Sequence, residues 1–480
     1  MTNPKAGLAV FGTSAAVLVL EILAGRLMAP YVGISLETFT GIIGTVLAAI
    51  ATGAAVGGWL ADRHDPRTLI GPALVLGGVL AWLSLPIVSV IGPAVGSDPV
   101  SIVALAGAAF FAPAAVLSAV SPMVAKLRLH DLAETGSVVG GLSAAGTAGA
   151  LAGTFLTGFV LIAALPTRPI VLAVGAVTIA AGVAAHLWLR RRAPAPGATA
   201  GVLAVVLVAG GLGLATPPPC QVETAYFCVR VEVDPDRPSG RELHLDQLRH
   251  AYVDLDDPTY LEFRYVRLLA DVAAALPPGP IDVLHIGGGG FTFPRYLSAV
   301  RPGSQHLVLE IDPELVRVAR DELGLEVRDD LEIRTGDARL AFADLPDDAY
   351  DLVVGDAFGS ESVPWHLTTV EVVDEIHRVL RPDGVYAMNV IDGVASGFAR
   401  AELATLLEVF DHVAVVLPPG GPPEARAMNQ VLVASDAPLP PLDVDPADGV
   451  VVTGAELEAY VGGAEVLTDD HAPVDTLAEG

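Results

Sequence analysis

The sequence predicts an N-terminal all-α multi-pass membrane bundle followed by a C-terminal α/β domain with a doubly wound, mostly parallel sheet. A hydrophobic fraction of 52% and a mean hydropathy of +0.56 are too apolar for an ordinary soluble protein. The first half contains six apolar runs, each close to the roughly 20 residues that a helix needs to cross a bilayer. They lie near residues 7–29, 39–61, 69–92, 100–125, 137–164 and 169–189. In the second half, strand-like and helix-compatible segments alternate, which is typical of a sheet covered on both faces.

The charge distribution separates the same two parts. Residues 1–215 contain 10 Lys and Arg against 7 Asp and Glu, whereas the remainder contains 17 against 48. A strongly acidic second half without a basic stripe argues against nucleic-acid binding. Composition and turn-rich linkers predict four segments. They are a membrane bundle of about six helices (1–192), a linker with a short seventh apolar segment (193–220), a small β domain with a connecting helix (221–280) and a nucleotide-binding domain (281–480).

Positive charges predict the orientation of the bundle. With six crossings, only Arg168 falls in a loop on one side. The other side carries Lys5, Arg63, Arg67, Lys126, Arg128 and Arg190 to Arg192. This excess places both ends of the six-helix bundle in the cytoplasm.

A seventh apolar run at residues 201–215 complicates this topology, because it is only about half to three-quarters of a usual span. If it crosses the membrane, everything after it lies outside the cell. Cys220 and Cys228 follow this run. The pair is compatible with a disulfide outside the cell and also with two inert buried thiols inside it.

The glycines Gly287, Gly288, Gly289 and Gly290 follow an apolar run that ends at Ile286 and precede a helix-compatible segment. A strand, a glycine-rich turn and a helix form the usual nucleotide-binding arrangement, because glycine lets the backbone turn sharply and approach a ligand. This pattern predicts a nucleoside cradle.

Acidic residues end the next three strand-like runs. Glu310 lies about twenty residues after the glycines, where a carboxylate can accept hydrogen bonds from both ribose hydroxyls. Asp337, followed by Ala338, is placed to accept from an adenine amine, and Asp356 ends the fourth run, where such folds bind substrates. Together these acids favour an S-adenosyl compound over a dinucleotide.

With these motifs in place, the chain from about Glu223 onward resembles the spermidine synthases (polyamine aminopropyltransferases), in the variety fused to a multi-pass membrane region. The order of the motifs carries the resemblance more than any one of them. They are LDQLRHAYVDLDDPTYLEF (245–263), IGGGG (286–290), LEID (309–312), GDA (336–338), YDLVVGDAF (350–358), LRPDG (380–384) and LTDDHAPVD (467–475).

The resemblance implies a class I methyltransferase-like fold behind a small β domain, with decarboxylated S-adenosylmethionine as co-substrate and no permanently bound cofactor. Glu310 would hold the ribose, and Asp337 with Ala338 would hold the adenine. Asp356 matches the acid that takes a proton from the attacking amine. Tyr260 matches an aromatic residue that lines the amine tunnel. His250 stands where the family has a Gln and would, in its place, help to bind the S-adenosyl co-substrate.

The amine-binding residues depart from the family pattern. Family members carry an Asp in the glycine turn where this chain has Gly290, and a second acid shortly after the residue matching Asp356, where it has Ala357 to Ser360. The family's His after the tunnel Tyr is matched by Leu261, and an aromatic segment near the end is replaced by residues 424–429. These departures concern the acceptor and the transferred group rather than the nucleoside.

The residues and the resemblance together predict a membrane-anchored transferase that moves an aminopropyl group onto putrescine or a similar amine. The alternatives are a methyltransferase that uses S-adenosylmethionine and a transporter with a nucleotide-sensing domain. We expect a multi-pass protein of the cell membrane whose catalytic domain is cytoplasmic, since S-adenosyl compounds are supplied there, with residues 201–215 re-entrant or at the interface. A homodimer is left open. No metal site is predicted, because the adjacent Asp469, Asp470 and His471 cannot easily converge on one ion.

Overall fold

The computed structural model describes residues 3–129, 135–189, 196–357, 363–393, 395–420 and 428–478. The chain divides into two compact units, Met1–Cys228 and Val229–Gly480. Arg190 to Arg192, Phe358 to Ser360 and residues 424–427, all used in the sequence analysis, lie outside the described residues.

Within the described residues, the first unit contains six helices that are long and apolar enough to cross a membrane. They span Pro4–Val32, Leu36–Arg63, Pro66–Ala94, Pro99–Arg128, Thr135–Ala164 and Thr167–Leu189. The fourth and fifth contain single π-helical turns at Gly107–Phe111 and Thr157–Leu161. The six predicted apolar helices are thus confirmed as helices.

The seventh apolar run forms part of a longer helix. The helix begins at Pro196 and ends at Ala215, so it has 20 residues, and 201–215 is its apolar part. At 1.5 Å per residue it is about 30 Å long, which is the thickness of a bilayer's hydrocarbon core.

Side-chain caps fix where several of these helices begin. The Ser35 side chain accepts from Thr38 N, and the Asp65 side chain accepts from Arg67 N. Asp98 accepts from the N–H groups of Val100 and Ser101. Each cap satisfies N–H groups that have no partner inside the helix, so the short connections between the helices are well defined.

Glycines let two of the helices approach each other closely. Gly149, in the fifth long helix, is buried against the backbone of Phe11 in the first, and a Cβ at position 149 would collide with the Phe11 carbonyl. Gly141 lies on the same helix, is exposed, and has no neighbour within 4 Å of the place where a Cβ would be. Small residues at such contacts are what allow helices to pack in a membrane.

We expect Gly149→Leu to destabilise the bundle by about 1–3 kcal/mol or more, because the side chain forces the two helices apart. Gly141→Leu is the matched control and should leave stability unchanged. Thermal unfolding of the detergent-solubilised chain, followed by fluorescence-detected size exclusion, measures both. Equal melting temperatures for the two variants would contradict this packing.

Twelve strands are found in the described residues, numbered β1 to β12 in chain order. The first four are β1 Val222–Glu223, β2 Cys228–Val233, β3 Gly240–Leu245 and β4 Leu248–Asp254. The next four are β5 Asp282–Ile286, β6 Gln305–Glu310, β7 Leu331–Thr335 and β8 Tyr350–Gly355. The last four are β9 Leu380–Asp392, β10 His412–Leu417, β11 Met428–Ser435 and β12 Val450–Thr453.

The strands β1 to β4 form a small sheet in the order β1-β2-β3-β4, in which β2, β3 and β4 are antiparallel neighbours. Val231 pairs with Leu243, and Leu243 pairs with Ala251 on β4. The predicted hairpin, β2 and β3, is therefore present, with β1 and β4 as its neighbours in the sheet. A connecting helix, Arg264–Ala275, follows.

The large sheet has the strand order β12-β10-β11-β9-β8-β5-β6-β7. The strands β5 to β8 and the first part of β9 are parallel neighbours, whereas β10, β11 and β12 add antiparallel pairs at one side. Helices cover both faces, as predicted for a doubly wound sheet. They are Thr292–Val300, Pro313–Glu322, Ala338–Ala341, Val370–Val379, Gly397–Val409, Gly454–Val461 and Val474–Ala478.

The strand order reverses at β5, which has β8 on one side and β6 on the other. Chain segments leave β5, β6 and β8 at the same edge of the sheet and diverge, which opens a crevice there. Ligands of open α/β sheets bind in such a crevice at the carboxyl ends of the strands. The predicted glycines, Glu310, Asp337 and Ala338 lie at or just after the ends of β5, β6 and β7, whereas His250 lies on β4 of the small sheet.

Candidate active site

The glycine turn after β5 has the backbone shape that its sequence requires. Gly287 and Gly289 have φ angles of 97° and 49°, which favour glycine. A Cβ at Gly287 would meet the Asp356 carbonyl, so the turn can lie against the end of β8 only because no side chain is present. Gly287 N donates to Leu309 O at 2.9 Å, and Asp356 N donates to Ile286 O at 2.9 Å.

Glu310 holds this turn from the end of β6. Its Oε2 accepts from Gly288 N at 2.8 Å and from Gly289 N at 3.1 Å, and its Oε1 accepts from Asp312 N at 2.9 Å. Burial raises the pKa of Glu310, and these N–H groups oppose that rise. The structure therefore brings the predicted ribose acid and the four glycines into one cluster.

Asp356 is partly buried beside the same turn and is held by two hydrogen bonds. The Tyr265 hydroxyl donates to Oδ2 at 3.2 Å, and Asn389 Nδ2 donates to Oδ1 at 2.8 Å. Asn389 Oδ1 in turn accepts from Asn429 Nδ2 at 2.9 Å, which fixes the orientation of its amide. Burial raises the pKa of Asp356 to about 6, against the lowering effect of the Asn389 and Tyr265 hydrogen bonds.

A cavity of about 30 Å³ lies between the glycine turn, the connecting helix and strand β4. That volume holds a water molecule or two, so a ligand tail that entered it would have to displace side chains. Its lining residues are His250, Ala251, Tyr265, Val266, Leu269, His285, Gly287 to Gly290, Thr292, Phe293, Val354 and Asp356. Asp356 is the only carboxylate among these described residues.

His250, the residue in the position of the family's Gln, does line this cavity and lies next to Gly289. Burial lowers the pKa of His250 to about 4, so the imidazole is neutral at physiological pH. A neutral imidazole offers one donor and one acceptor to a ligand. His250 therefore adds no charge to the cavity beside that of Asp356.

Tyr260, the predicted tunnel residue, is not among the cavity residues. Its hydroxyl donates to Glu262 Oε2 at 2.6 Å, and the Arg237 guanidinium lies over its ring at 3.8 Å from the centroid. The tyrosine that reaches Asp356 is Tyr265, one residue into the connecting helix. A role for Tyr260, which precedes that helix, stays a prediction, and the sequence motifs did not single out Tyr265 five positions further on.

Asp337 and Ala338 follow β7, and Ala338 is buried. The Asp337 side chain accepts from Arg339 N at 2.9 Å and caps the short helix that begins at Ala338. His366 Nε2 lies 3.5 Å from Asp337 Oδ2. The predicted adenine residues therefore sit at the same edge of the sheet as Glu310, and their contact with a base stays a prediction.

Two other acidic segments, around Asp254 and Asp469, make hydrogen bonds and ion pairs within the protein. Asp254 pairs with Arg237 and accepts from the N–H groups of Asp256 and Asp257 at 2.9 Å each. Arg339 binds Asp469 through both oxygens, at 2.7 and 2.5 Å. Within the described ranges, no group of three or more His, Cys, Asp or Glu residues could hold a metal ion.

A fold with this sheet order, glycine turn and row of acids defines a methyltransferase-like domain. A family model described as "Methyltransferase domain" matches residues 284–388, which run from β5 into β9. That match includes the glycine turn, Glu310, Asp337 and Asp356.

Similarity to named proteins is more specific. The chain is 33% identical over 150 residues to a polyamine aminopropyltransferase of Vibrio vulnificus, covering 31% of this chain and 49% of that protein. It is 28% identical over 180 residues to a polyamine aminopropyltransferase of Chromobacterium violaceum, covering 37% of this chain and 67% of that protein. A crystal structure of a probable spermidine synthase from Corynebacterium glutamicum matches with 27% identity and a TM-score of 0.49, covering 53% of this chain and 97% of that one.

The Vibrio and Chromobacterium proteins confirm the resemblance to polyamine aminopropyltransferases that the sequence motifs predict. The similar proteins are transferases, and the matched region spans about half the length of the Vibrio protein. The six apolar helices precede the matched region.

Proposed function

We propose that this chain is a membrane-anchored transferase that moves an aminopropyl group from decarboxylated S-adenosylmethionine to putrescine or a similar amine. The observation that carries the proposal is the placement of Asp356. It lies against the glycine turn at the carboxyl end of β8, hydrogen-bonded to Tyr265 and Asn389, with a pKa raised to about 6. A carboxyl of that pKa is a base matched to neutral pH.

In the proposed reaction, the amine nitrogen attacks the methylene carbon through which the aminopropyl group is bonded to the sulfonium sulfur. The new C–N bond forms as the C–S bond breaks, and both electrons of that bond go to sulfur, which leaves as neutral methylthioadenosine. The surplus amine proton passes to Asp356. Asn389 holds one oxygen of this carboxylate in place, so the other oxygen faces Tyr265 and the cavity. Positioning supplies much of the rate in such a displacement.

Glu310 and the glycines would hold the nucleoside, with Asp337 and Ala338 at the adenine. We also propose that the six apolar helices anchor the enzyme in the lipid bilayer. The test uses the full chain in detergent with decarboxylated S-adenosylmethionine and putrescine. Methylthioadenosine formed only when both are present is expected, and its absence over a range of amines would overturn the proposal.

Methyl transfer from S-adenosylmethionine is a second candidate, and one contact favours it. A Cβ at Gly290 would lie 2.7 Å from the Ala251 Cβ, so the loop has no room for the acid that aminopropyltransferases carry there. Without that acid, the cavity has less negative charge to bind the aminopropyl ammonium group. The sulfur product, S-adenosylhomocysteine or methylthioadenosine, separates the two candidates.

We expect the rate to rise with pH through about 6, because Asp356 must lose its proton before it can accept one from the amine. Tyr265→Phe removes a hydrogen bond that favours the carboxylate form, so the pKa of Asp356 and the midpoint of the profile should move to higher pH. The rate at neutral pH should fall roughly two- to tenfold.

Tyr260→Phe is the matched control for this change, because its hydroxyl binds Glu262 and not Asp356. Its profile should follow that of the unmodified chain. A shifted pH profile in Tyr260→Phe and an unshifted one in Tyr265→Phe would contradict the role of Tyr265. That result would favour Tyr260, the tyrosine that the family resemblance selects.

A further inference from the structure

The segment that follows the seventh helix, Pro196–Ala215, contacts one end of the helical bundle. Arg26 Nε contacts Glu223 Oε1 at 3.2 Å, and its Nη1 donates to Ala225 O at 2.7 Å. Thr167 N donates to the Glu223 carboxylate at 3.0 Å. The segment after the seventh helix is therefore fixed to the end of the bundle where the first long helix finishes and the sixth begins.

Most positive charges of the bundle lie at its opposite end. The helices are joined by connections of a few residues, so consecutive helices run in opposite directions. Lys5 starts the first helix, Arg63 and Arg67 flank the second connection, and Lys126 and Arg128 end the fourth helix. By the positive-inside rule, this end is cytoplasmic and the end that holds Glu223 is not.

The seventh helix connects the two ends. It begins at Pro196, soon after the sixth helix has ended on the positively charged side, and Arg168 Nη2 donates to Gly213 O near its other terminus, at 3.1 Å. Midway, Ala209 packs with Val79 and Ile179. The helix contains no charged residue and is long enough to span the hydrocarbon core. It therefore runs along the bundle rather than turning back within it.

A disulfide lies just beyond this helix. Cys220 and Cys228 are bonded and are separated by 8 residues, on the side of the bundle that also holds Glu223. Disulfides form and persist outside the cytoplasm and are rare within it. The bond and the charge distribution are independent observations, and both assign this side of the membrane to the exterior.

We propose that the seventh helix crosses the membrane and that the unit from Val229 onward therefore lies outside the cytoplasm. This replaces the expectation of a cytoplasmic catalytic domain with residues 201–215 at the interface. The inference rests on the proposed membrane anchoring, and it adds a step to the proposed reaction. The sulfonium nucleoside has to be delivered by transport across the membrane before the transfer takes place.

The test uses the full chain expressed in bacteria, with its native cysteines. The cells are quenched with acid, which stops thiol–disulfide exchange. A polyethylene glycol maleimide is then added to the denatured chain with and without prior reduction. We expect two additions of the polymer only after reduction. A chain that takes up the polymer at both cysteines without reduction would overturn the inference.

A second measurement does not depend on the disulfide. Glu322→Cys places a thiol at an exposed position of the second unit, and Arg67→Cys places a matched one at the positively charged end of the bundle. An impermeant sulfonated maleimide should label Glu322→Cys in intact spheroplasts and Arg67→Cys only after permeabilisation. The reverse pattern would overturn the inference.

These measurements need no enzymatic activity, so they separate this inference from the proposed reaction. Recovery of the chain in the soluble fraction after carbonate extraction would overturn the anchoring and the inference together. If the chain stays in the membrane fraction but Glu322→Cys is labelled only after permeabilisation, the inference would be overturned and the anchoring would stand.

Discussion

Asp356→Asn should lower the transfer rate by about 10²- to 10⁴-fold, the usual contribution of a general base. The amide has the shape of the carboxylate but cannot accept the proton of the attacking amine. It can still accept from Asn389 at its remaining carbonyl oxygen, so folding and nucleoside binding should be retained. Steady-state rates measured together with calorimetric binding of methylthioadenosine check both parts.

Asp351→Asn is the matched control. Asp351 is the second residue of β8, near the end of the strand opposite Asp356, where it pairs with Arg381 at 2.5 Å and accepts from Asp282 N at 2.7 Å. Its replacement should change stability slightly and leave the rate per folded molecule intact. An Asp356→Asn variant with an undiminished rate would show that another group takes the proton.

Glu310→Gln should weaken nucleoside binding by about 10- to 100-fold. The carboxylate accepts from the N–H groups of Gly288 and Gly289, and the proposed ribose contacts add to these. Hydrogen bonds to a charged acceptor are worth about 1.5–3 kcal/mol, which corresponds to that range of affinity. The glutamine keeps one acceptor oxygen and turns the other into a donor, which faces N–H groups or ribose hydroxyls.

Isothermal titration with methylthioadenosine measures this loss. Glu314→Gln, on the helix that follows β6, removes a surface contact with Arg317 and is expected to bind as the unmodified chain does. Unchanged affinity in Glu310→Gln would place the nucleoside elsewhere than at the end of β6.

The fold follows from local patterns in the sequence. The apolar runs at IDVLHI and HLVLEI are buried strands between helices, and the glycines sit where a strand meets a helix at a positive φ angle. The strand β12 was missed because Val450–Thr453 is only 4 residues long and carries no alternation strong enough to identify it. The strand β4 was missed because its apolar residues follow Arg249 and His250.

The positions of Glu310 and Asp356 at the ends of strands could be predicted for the same reason, since both residues end apolar runs. The residues that hold the Asp356 carboxylate in place could not be predicted from the sequence. Tyr260 and Tyr265 are both aromatic, and which one faces the site depends on where the connecting helix begins. Asn389 and Asn429 meet only because β9 and β11 pair antiparallel across the sheet, a contact between distant parts of the chain. A polar residue within the apolar run GVYAMNVI was the available signal.

The most direct test of the central claim is the identity of the sulfur product. The full chain in detergent receives equal amounts of S-adenosylmethionine and its decarboxylated form together with a mixture of amines, and the products are identified by mass spectrometry. The proposed function predicts methylthioadenosine and an aminopropylated amine, both absent with Asp356→Asn. S-adenosylhomocysteine with a methylated acceptor, and no methylthioadenosine, would contradict it.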